Sequence, residues 1–325
     1  MRRFAALRYR CRCHCRPHTA RPLPRLLHAT ALSRTPAPIP VPTAPTAAEP
    51  SLNSPLPVTP RCPAPTCPCE TAPADLDIDR VTPLNGTMAN YYRHILISTG
   101  KSDWASKIDT DPTAEGEPGG LAAQLKEVSS QKGANLRDPF APTLITNSSF
   151  PPGNGSAYVF PSGVYIPHIP PTTASIAALI RRFLLPDVVP AVPVSGFENV
   201  RMVRETVVLI CSHMSRDSRC GALAPPLRAQ FEKVLGARGV LLAPEHEARG
   251  EYEGRVRVGF TSHLSGHKFA GNVIVYLPSM LERGGTGLGV WYGRVEPKHV
   301  EGIVEETVLG RRVIGELCRG VVGGG

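Results

Sequence analysis

The sequence predicts an α/β fold, and three observations carry that prediction. Short runs of β-branched and aromatic residues alternate with helical stretches, the pattern of strands covered by helices. Residues 205–210, Glu-Thr-Val-Val-Leu-Ile, become a continuous apolar run, as a strand buried on both faces must. After that run the residues read in order as helix, strand, strand, strand, helix. The order β-α-β-β-β-α is compatible with a small domain of thioredoxin type. The expectation is a thioredoxin-like C-terminal domain over residues 200–325. A smaller α/β region over 75–195, open to the same fold type, and a disordered N-terminus precede it.

The chain opens on Arg2, Arg3, Arg8, Arg10, Arg12, Arg16, Arg21, Arg25 and Arg34, all before the first acidic residue, Glu49. A cationic, acid-free stretch rich in Ala, Leu and Ser reads as an organelle transit peptide, assigned to residues 1–36. A basic tail that binds an acidic partner is the competing reading. The net charge of +9 is therefore front-loaded. No basic face with interleaved aromatics is visible later in the chain, so nucleic acid is not an expected partner. Arg and Pro interrupt every early apolar run, and nowhere do ~18 apolar residues run together, so no secretory signal or membrane span is expected.

Residues 37–74 are Pro, Ala, Thr and Ser with few large apolar side chains, and read as a disordered Pro-rich linker. Cys62, Cys67 and Cys69 fall in it. A metal or redox role there would lack the surrounding hydrogen bonds that orient such ligands, so they read as exposed thiols of no fixed role.

Between 75 and 195, Tyr91–Ile97 is strand-like. Gly119–Ser130 carries Leu121, Leu125 and Val128 at helical spacing. Thr143–Ile145 and Ala157–Phe160 are short strands, and Ile176–Leu185 is a helix closed by Pro186. His94 and His168 are isolated beside apolar residues and read as structural. The Pro- and Val-rich stretch 186–195 is the expected joint. In the last domain, Pro225–Leu235 reads as a helix with Pro in its first turn. Strands are expected at 255–260, 272–276 and 289–292. Pro297–Leu309 is a helix with Val300, Ile303, Val304 and Val308 on one face.

The chemistry concentrates in this domain. Cys211 ends its first strand and Cys220 lies nine positions on. His263 ends the next strand and His267 lies four positions on. All four lie at strand ends or in adjoining loops, where a rigid sheet presents functional groups. Two thiolates and two imidazoles are the ligand number of a [2Fe–2S] cluster in which His replaces Cys twice. The same set satisfies tetrahedral zinc, although zinc sites usually pair cysteines two to four residues apart, on tight knuckles. A wider loop suits two ligands wrapping a cluster. Spacing alone leaves cluster, zinc and no metal all open; Cys211 alone could be a small core residue. His213 is an alternative ligand, though its closeness to Cys211 strains a chelate. Cys318 reads as structural. No Cys-x-x-Cys opens a helix after the first strand, so a thiol-redox enzyme lacks support.

The stretches Cys211-Ser-His…Arg-Cys220-Gly and Ser262-His-Leu-Ser-Gly-His-Lys-Phe-Ala-Gly-Asn-Val-Ile274 are distinctive, with Trp291-Tyr-Gly-Arg-Val295, Pro297 and a closing Gly-Glu-Leu-Cys-Arg-Gly320. In them the chain, from about 205 to 320, resembles the sucrase/ferredoxin-like proteins, and more narrowly the fungal altered-inheritance-of-mitochondria ferredoxin-like proteins. The half before Val200 matches only loosely. The resemblance implies a thioredoxin-like ferredoxin fold with a bis-His, bis-Cys [2Fe–2S] cluster, and carries over Cys211, Cys220, His263 and His267 as ligands. It implies mitochondrial residence, in agreement with the transit peptide, without choosing matrix or intermembrane space. Ser265 stands where relatives can carry a second glycine, a departure that leaves the ligand set intact. The expected function is one-electron transfer or redox sensing and thiol redox homeostasis with an unknown redox partner protein, not turnover of a substrate. A zinc-stabilised Cys2His2 interaction module is the alternative. Trp291, Tyr292 and Arg294 are expected either around the cluster or in plain strand packing.

Overall fold

The computed structural model describes residues 54–112, 119–131, 138–152, 155–185, 196–244, 252–280 and 286–323. The expected transit peptide, the first part of the linker and the 186–195 joint lie outside them. In chain order come β1 (Val58–Thr59), β2 (Arg93–Ser98), α1 (Gly120–Ser130), β3 (Thr143–Ser148), β4 (Ala157–Phe160), β5 (Val164–Ile166), α2 (Thr173–Leu179) and β6 (Arg201–Met202). Next are β7 (Thr206–Cys211), α3 (Ser218–Ala237), β8 (Val256–Thr261), β9 (Val273–Leu277), β10 (Leu288–Tyr292), α4 (Pro297–Gly302), β11 (Val313–Ile314) and β12 (Cys318–Gly323).

Among the described residues, ten strands join in one mixed sheet in the order β12-β10-β9-β7-β8-β3-β2-β4-β5-β6. The order contains the same arrangement twice. β2 is parallel to β3 and antiparallel to β4, which pairs antiparallel with β5. β7 is parallel to β8 and antiparallel to β9, which pairs antiparallel with β10. In each half a helix, α1 or α3, crosses between the parallel strands, as a parallel pair requires. The two halves therefore share one sheet. The far edge strand of the first half, β6, comes from residues just before β7.

The halves meet at strand tips. β3 and β8 are antiparallel and share a single registered pair, Ser148 with Thr261. Ser149 N–H donates to the Phe260 carbonyl at 3.0 Å and Ser262 N–H to the Asn147 carbonyl at 2.9 Å. The C-terminal ends of β2, β3, β7 and β8 thus gather at one junction. Side-chain alternation distributes each strand over two cores. Leu96 joins the core containing Trp291, Tyr276 and Phe231, whereas its neighbours Ile95 and Ile97 join that of Val159 and Phe183.

Three local readings change. The helix expected from Pro225 begins at Ser218, so Pro225 and Pro226 lie in its interior. The Asp217 side chain caps it by accepting the Arg219 N–H at 3.1 Å. That cap and the burial of Leu223, Leu227, Phe231 and Val234 outweigh the ~3 kcal/mol an interior proline costs. The helix at 297–309 is α-helical only to Gly302 and continues in wider π turns over Ile303–Leu309. From residue 54 the Pro-rich stretch, expected to be disordered, takes a fixed course. β1 pairs in parallel with β11, and Thr66 N–H donates to Glu301 at 2.7 Å. Composition reads only what a segment buries by itself. This one is held by surfaces contributed by α4 and β11.

Candidate metal centre

Cys211 ends β7 beside the end of its parallel neighbour β8. The chain turns off the sheet at both tips together, which brings the residues after each strand side by side. The loop after Cys211 passes over the start of α3. There a Cβ on Gly221 would stand 2.6 Å from Met214 Cβ, so glycine after Cys220 is a condition of that path. The cap at Asp217 places Cys220 in the first helical turn, not in a loop, directly beneath Cys211.

Both cysteines are buried, with 2% and 1% of their surface exposed. Cys220, close beside it, holds the Cys211 thiol well below its ordinary range in spite of burial. The His263 ring and the backbone N–H groups of Leu264 and His213 act in the same direction. The Cys220 thiol is raised, first by its neighbour Cys211 and then by burial.

His263 lies two residues beyond β8 and His267 opens a short 3₁₀ turn, His267–Phe269. Their ring centroids are 5.5 Å apart with planes inclined by 38°. Nδ1 of His263 is buried and has no hydrogen-bond partner. His267 is exposed. Between them Ser265 and Gly266 are both left-handed, at φ 66° and 70°. A side chain on Gly266 would collide with the Arg319 guanidinium.

Arg319 is the anchor of this turn. It is fully buried. Its Nη1 donates to the Ser265 carbonyl at 3.1 Å and to Asn272 Oδ1 at 2.7 Å. Asn272 Nδ2 in turn donates to the Gly266 carbonyl at 3.1 Å. Arg319 also donates to the Thr87 carbonyl and to Thr87 Oγ1. Burial pushes the guanidinium down to about 10, and the nearby sulfurs of Cys211 and Cys220 oppose that shift. A fixed cation therefore stands beside the thiol pair. Arginine is normally a surface residue, and sequence reasoning passed over this one. The available signal was its place directly after buried Cys318 in the closing motif.

His213 is not free to bind a metal. Its Nδ1 accepts the His263 backbone N–H at 3.0 Å, and Nε2 donates to the Trp104 and Ala105 carbonyls, both at 3.0 Å. These partners assign the neutral tautomer protonated at Nε2. Ser212 Oγ donates to the Ser102 carbonyl at 2.9 Å. The loop after β2 thus walls the site from the first half.

Trp291 stands behind Arg319, 5.7 Å from ring centroid to guanidinium, and its Nε1 donates to Tyr91. Tyr292 bonds to Thr307 and serves packing. Arg294 lies over the Phe269 ring and donates to the carbonyls of Asp79 and Thr82, bracing the segment after His267. Cys318 is buried and its thiol is pushed up to about 12 by burial.

Among the described residues no group of three or more His, Cys, Asp or Glu side chains is arranged to hold a metal ion. The geometry holds two pairs instead. The inner one is two buried, neighbouring thiols; the outer one is two imidazoles, with a buried ring nitrogen still lacking a partner. In donor type this layered set fits a two-iron group, in which each iron takes two protein ligands. A single zinc ion needs all four donors at one point.

Fold and site together define an α/β protein with a Cys pair and a His pair at adjoining strand tips. Over residues 84–320 the chain matches the family described as Sucrase/ferredoxin-like, and it belongs to that family. The match takes in the first half of the sheet, where the residue pattern alone carried only a loose likeness. Over 267 residues it is 32% identical to altered inheritance of mitochondria protein 32 of Clavispora lusitaniae, covering 76% of this chain and 86% of the relative. The protein of the same name from Debaryomyces hansenii is 31% identical over 277 residues, 76% of this chain and 89% of its own. Actin patches distal protein 1 of Saccharomyces cerevisiae is 40% identical over 114 residues, 34% of this chain and 32% of its own. No solved structure matches the chain. No helix among the described residues is long and apolar enough to cross a membrane.

Proposed function

We propose that Cys211, Cys220, His263 and His267 hold a [2Fe–2S] cluster in a thioredoxin-like ferredoxin domain, and that the protein serves mitochondrial one-electron transfer or redox sensing. The observation that carries this reading is the pair of buried cysteines, Cys211 and Cys220, close to a His263 ring whose buried Nδ1 has no partner. Once bound, the group supplies a one-electron couple, at a potential raised because neutral imidazole carries less negative charge than thiolate.

The chain's own residues do the rest. Arg319 and Asn272 fix the Ser265–Gly266 turn that carries His267, and His213 fixes the backbone of His263. The cysteines sit inside and the histidines toward solvent, which presents the imidazole side to a redox partner. The arrangement of β7, α3, β8, β9, β10 and α4 agrees with a thioredoxin-like domain, and that of β2 to α2 with a second one. The mitochondrial assignment is supported by the Arg-rich, acid-free start of the chain and by the names of its relatives.

The experiment is iron and acid-labile sulfide content with a visible spectrum, on protein purified without oxygen from iron-replete cells. Two irons and two sulfides per chain are expected. Colourless protein holding one zinc overturns the proposal in favour of an interaction module.

A further inference from the structure

Cys67 and Cys69 read as exposed thiols of no fixed role on the premise that their segment has no fixed surroundings. The structure removes that premise. The residues before, between and after them are each tied to α3 or α4. Thr66 N–H donates to Glu301 at 2.7 Å, and the Thr66 hydroxyl donates to the same carboxylate. The Pro68 carbonyl accepts from Lys233 Nζ at 3.0 Å. Glu70 N–H donates to Gln230 Oε1 at 2.8 Å. Glu301 and Gln230 are both buried, and a hydrogen bond to a buried partner is shielded from competing water.

Between those anchors Cys67 is exposed and Cys69 half-buried. The Cys69 S–H donates to the Cys67 carbonyl at 3.6 Å. The second sulfur is thus folded back onto the residue that carries the first. Cα atoms two residues apart stand at most about 7 Å from each other, the outer limit at which a disulfide can close. A small tightening of the chain brings the two sulfurs within bonding range, and the bond so formed is strained. Strained, exposed disulfides are the readily reduced ones. The other described thiols do not compete. Cys211, Cys220 and Cys318 are buried, and Cys62 packs against Gly302.

We propose that Cys67 and Cys69 form a redox-active dithiol that exchanges with small disulfides of the glutathione type. Cys67, the accessible one, attacks as thiolate. Its sulfur bonds to one sulfur of the disulfide, the disulfide bond breaks, and one thiolate leaves. The Cys69 thiolate then attacks the Cys67 sulfur, the Cys67–Cys69 bond forms, and the second thiolate leaves. Two electrons pass from the dithiol to the disulfide, and the two cysteine protons end on the released thiols. An excess of the released thiol drives the same steps in reverse. Gln230 and Lys233 stand roughly 15–20 Å along α3 from Cys220. The dithiol is therefore separate from the metal centre and does not rest on a cluster being bound.

The test is a titration of the full chain with mixtures of oxidised and reduced glutathione. Samples are quenched in acid, alkylated after unfolding and mapped by mass spectrometry. Trypsin cuts after Arg61 and Arg80, so Cys62, Cys67 and Cys69 share one peptide that excludes Cys211 and Cys220. In oxidising mixtures that peptide is expected to carry a Cys67–Cys69 disulfide and an alkyl group on Cys62 alone. Excess reduced glutathione restores alkylation at all three. Cys69→Ser is expected to hold one glutathione on Cys67, the intermediate that Cys69 otherwise resolves. Cys67→Ser is expected to react about tenfold or more slowly, since its remaining thiol is less accessible. A stable glutathione adduct on Cys67 beside a free Cys69 in the unaltered protein overturns the proposal. So does a bond from Cys62 to either cysteine, or three free thiols in every mixture. Equal rates for Cys67→Ser and the unaltered protein overturn Cys67 as the attacking group.

Discussion

His213 Nδ1 accepts the backbone N–H of His263 at 3.0 Å, while its Nε2 serves two carbonyls of the first half. The residue nearest in sequence to Cys211 that could compete as a ligand instead positions the backbone of His263, one of the proposed ligands. His213→Ala leaves the carbonyls of Trp104 and Ala105 and the His263 N–H short of a partner. The expected loss is about 2–3 kcal/mol in urea denaturation. On the proposed ligand set, the folded fraction binds iron and sulfide as the unaltered protein does. Complete loss of iron from folded His213→Ala protein would make His213 a ligand.

Arg319 should be the least replaceable residue outside the proposed ligand set. Arg319→Leu strands the acceptors of Ser265, Asn272 and Thr87, and about 3 kcal/mol or more is expected to go. Arg319→Lys recovers little, because one ammonium cannot span acceptors that a planar guanidinium reaches together. Denaturation midpoints of the two variants within experimental error of wild type would remove Arg319 from its anchoring role.

The turn between the two histidines contains one residue with a strained backbone. Ser265 sits at φ 66°, where a glycine is unstrained. Ser265→Gly is expected to stabilise the protein by roughly 0.5–1 kcal/mol, less the entropy glycine loses on folding. Gly266→Ala is expected to destabilise it strongly, since its Cβ meets Arg319. A pair of thermal melts decides, and a lower melting point for Ser265→Gly counts against the strain.

His94 predicts a pH dependence. It is fully buried, with Nδ1 2.8 Å from the Tyr276 hydroxyl and Nε2 2.6 Å from Thr146 Oγ1, and burial pushes it down to about 3. Unfolded, it takes up a proton below about pH 6.5; folded, it does not until about pH 3. The unfolded state therefore binds more protons across that window, and stability falls as the pH falls through it. The loss from His94 is about 2–3 kcal/mol between pH 7 and pH 4.5. Urea denaturation at the two pH values measures it. A His94→Gln variant with the same pH slope as wild type would assign the loss elsewhere.

The linker thiols should separate by reactivity. Cys67 is exposed. Cys62 is half-buried against Gly302, and burial, then the Glu316 and Glu306 carboxylates, pushes its thiol up to about 12. Brief alkylation at neutral pH, mapped by mass spectrometry, is expected to modify Cys67 well before Cys62. Equal labelling would mean that residues 54–74 leave the surface on which they lie.

Much of the sheet was legible for a plain reason. β7 and β9 are buried on both faces, and their unbroken apolar runs say so. Cys211 was legible as the residue after such a run. The start of α3 was not, because proline is commonest at a helix start and drew the boundary forward. The Asp217 cap carried the true signal. β12 was hidden by its own composition: Cys-Arg-Gly-Val-Val-Gly holds glycines and an arginine that belongs to the interior. β5, β6, β1 and β11 have two or three residues each, too short for any period to show. The meeting of the halves at Ser148 and Thr261 was out of reach, since nothing local in either strand marks it.

The ladder between Val58–Thr59 and Val313–Ile314 ties together segments at opposite ends of the described chain. During synthesis, which proceeds from the N-terminus, the earlier segment waits for its mate until residues 313–314 have been made. Loop closure across so many residues comes late in folding. A product stalled before residue 313 therefore exposes residues 54–74 to proteases.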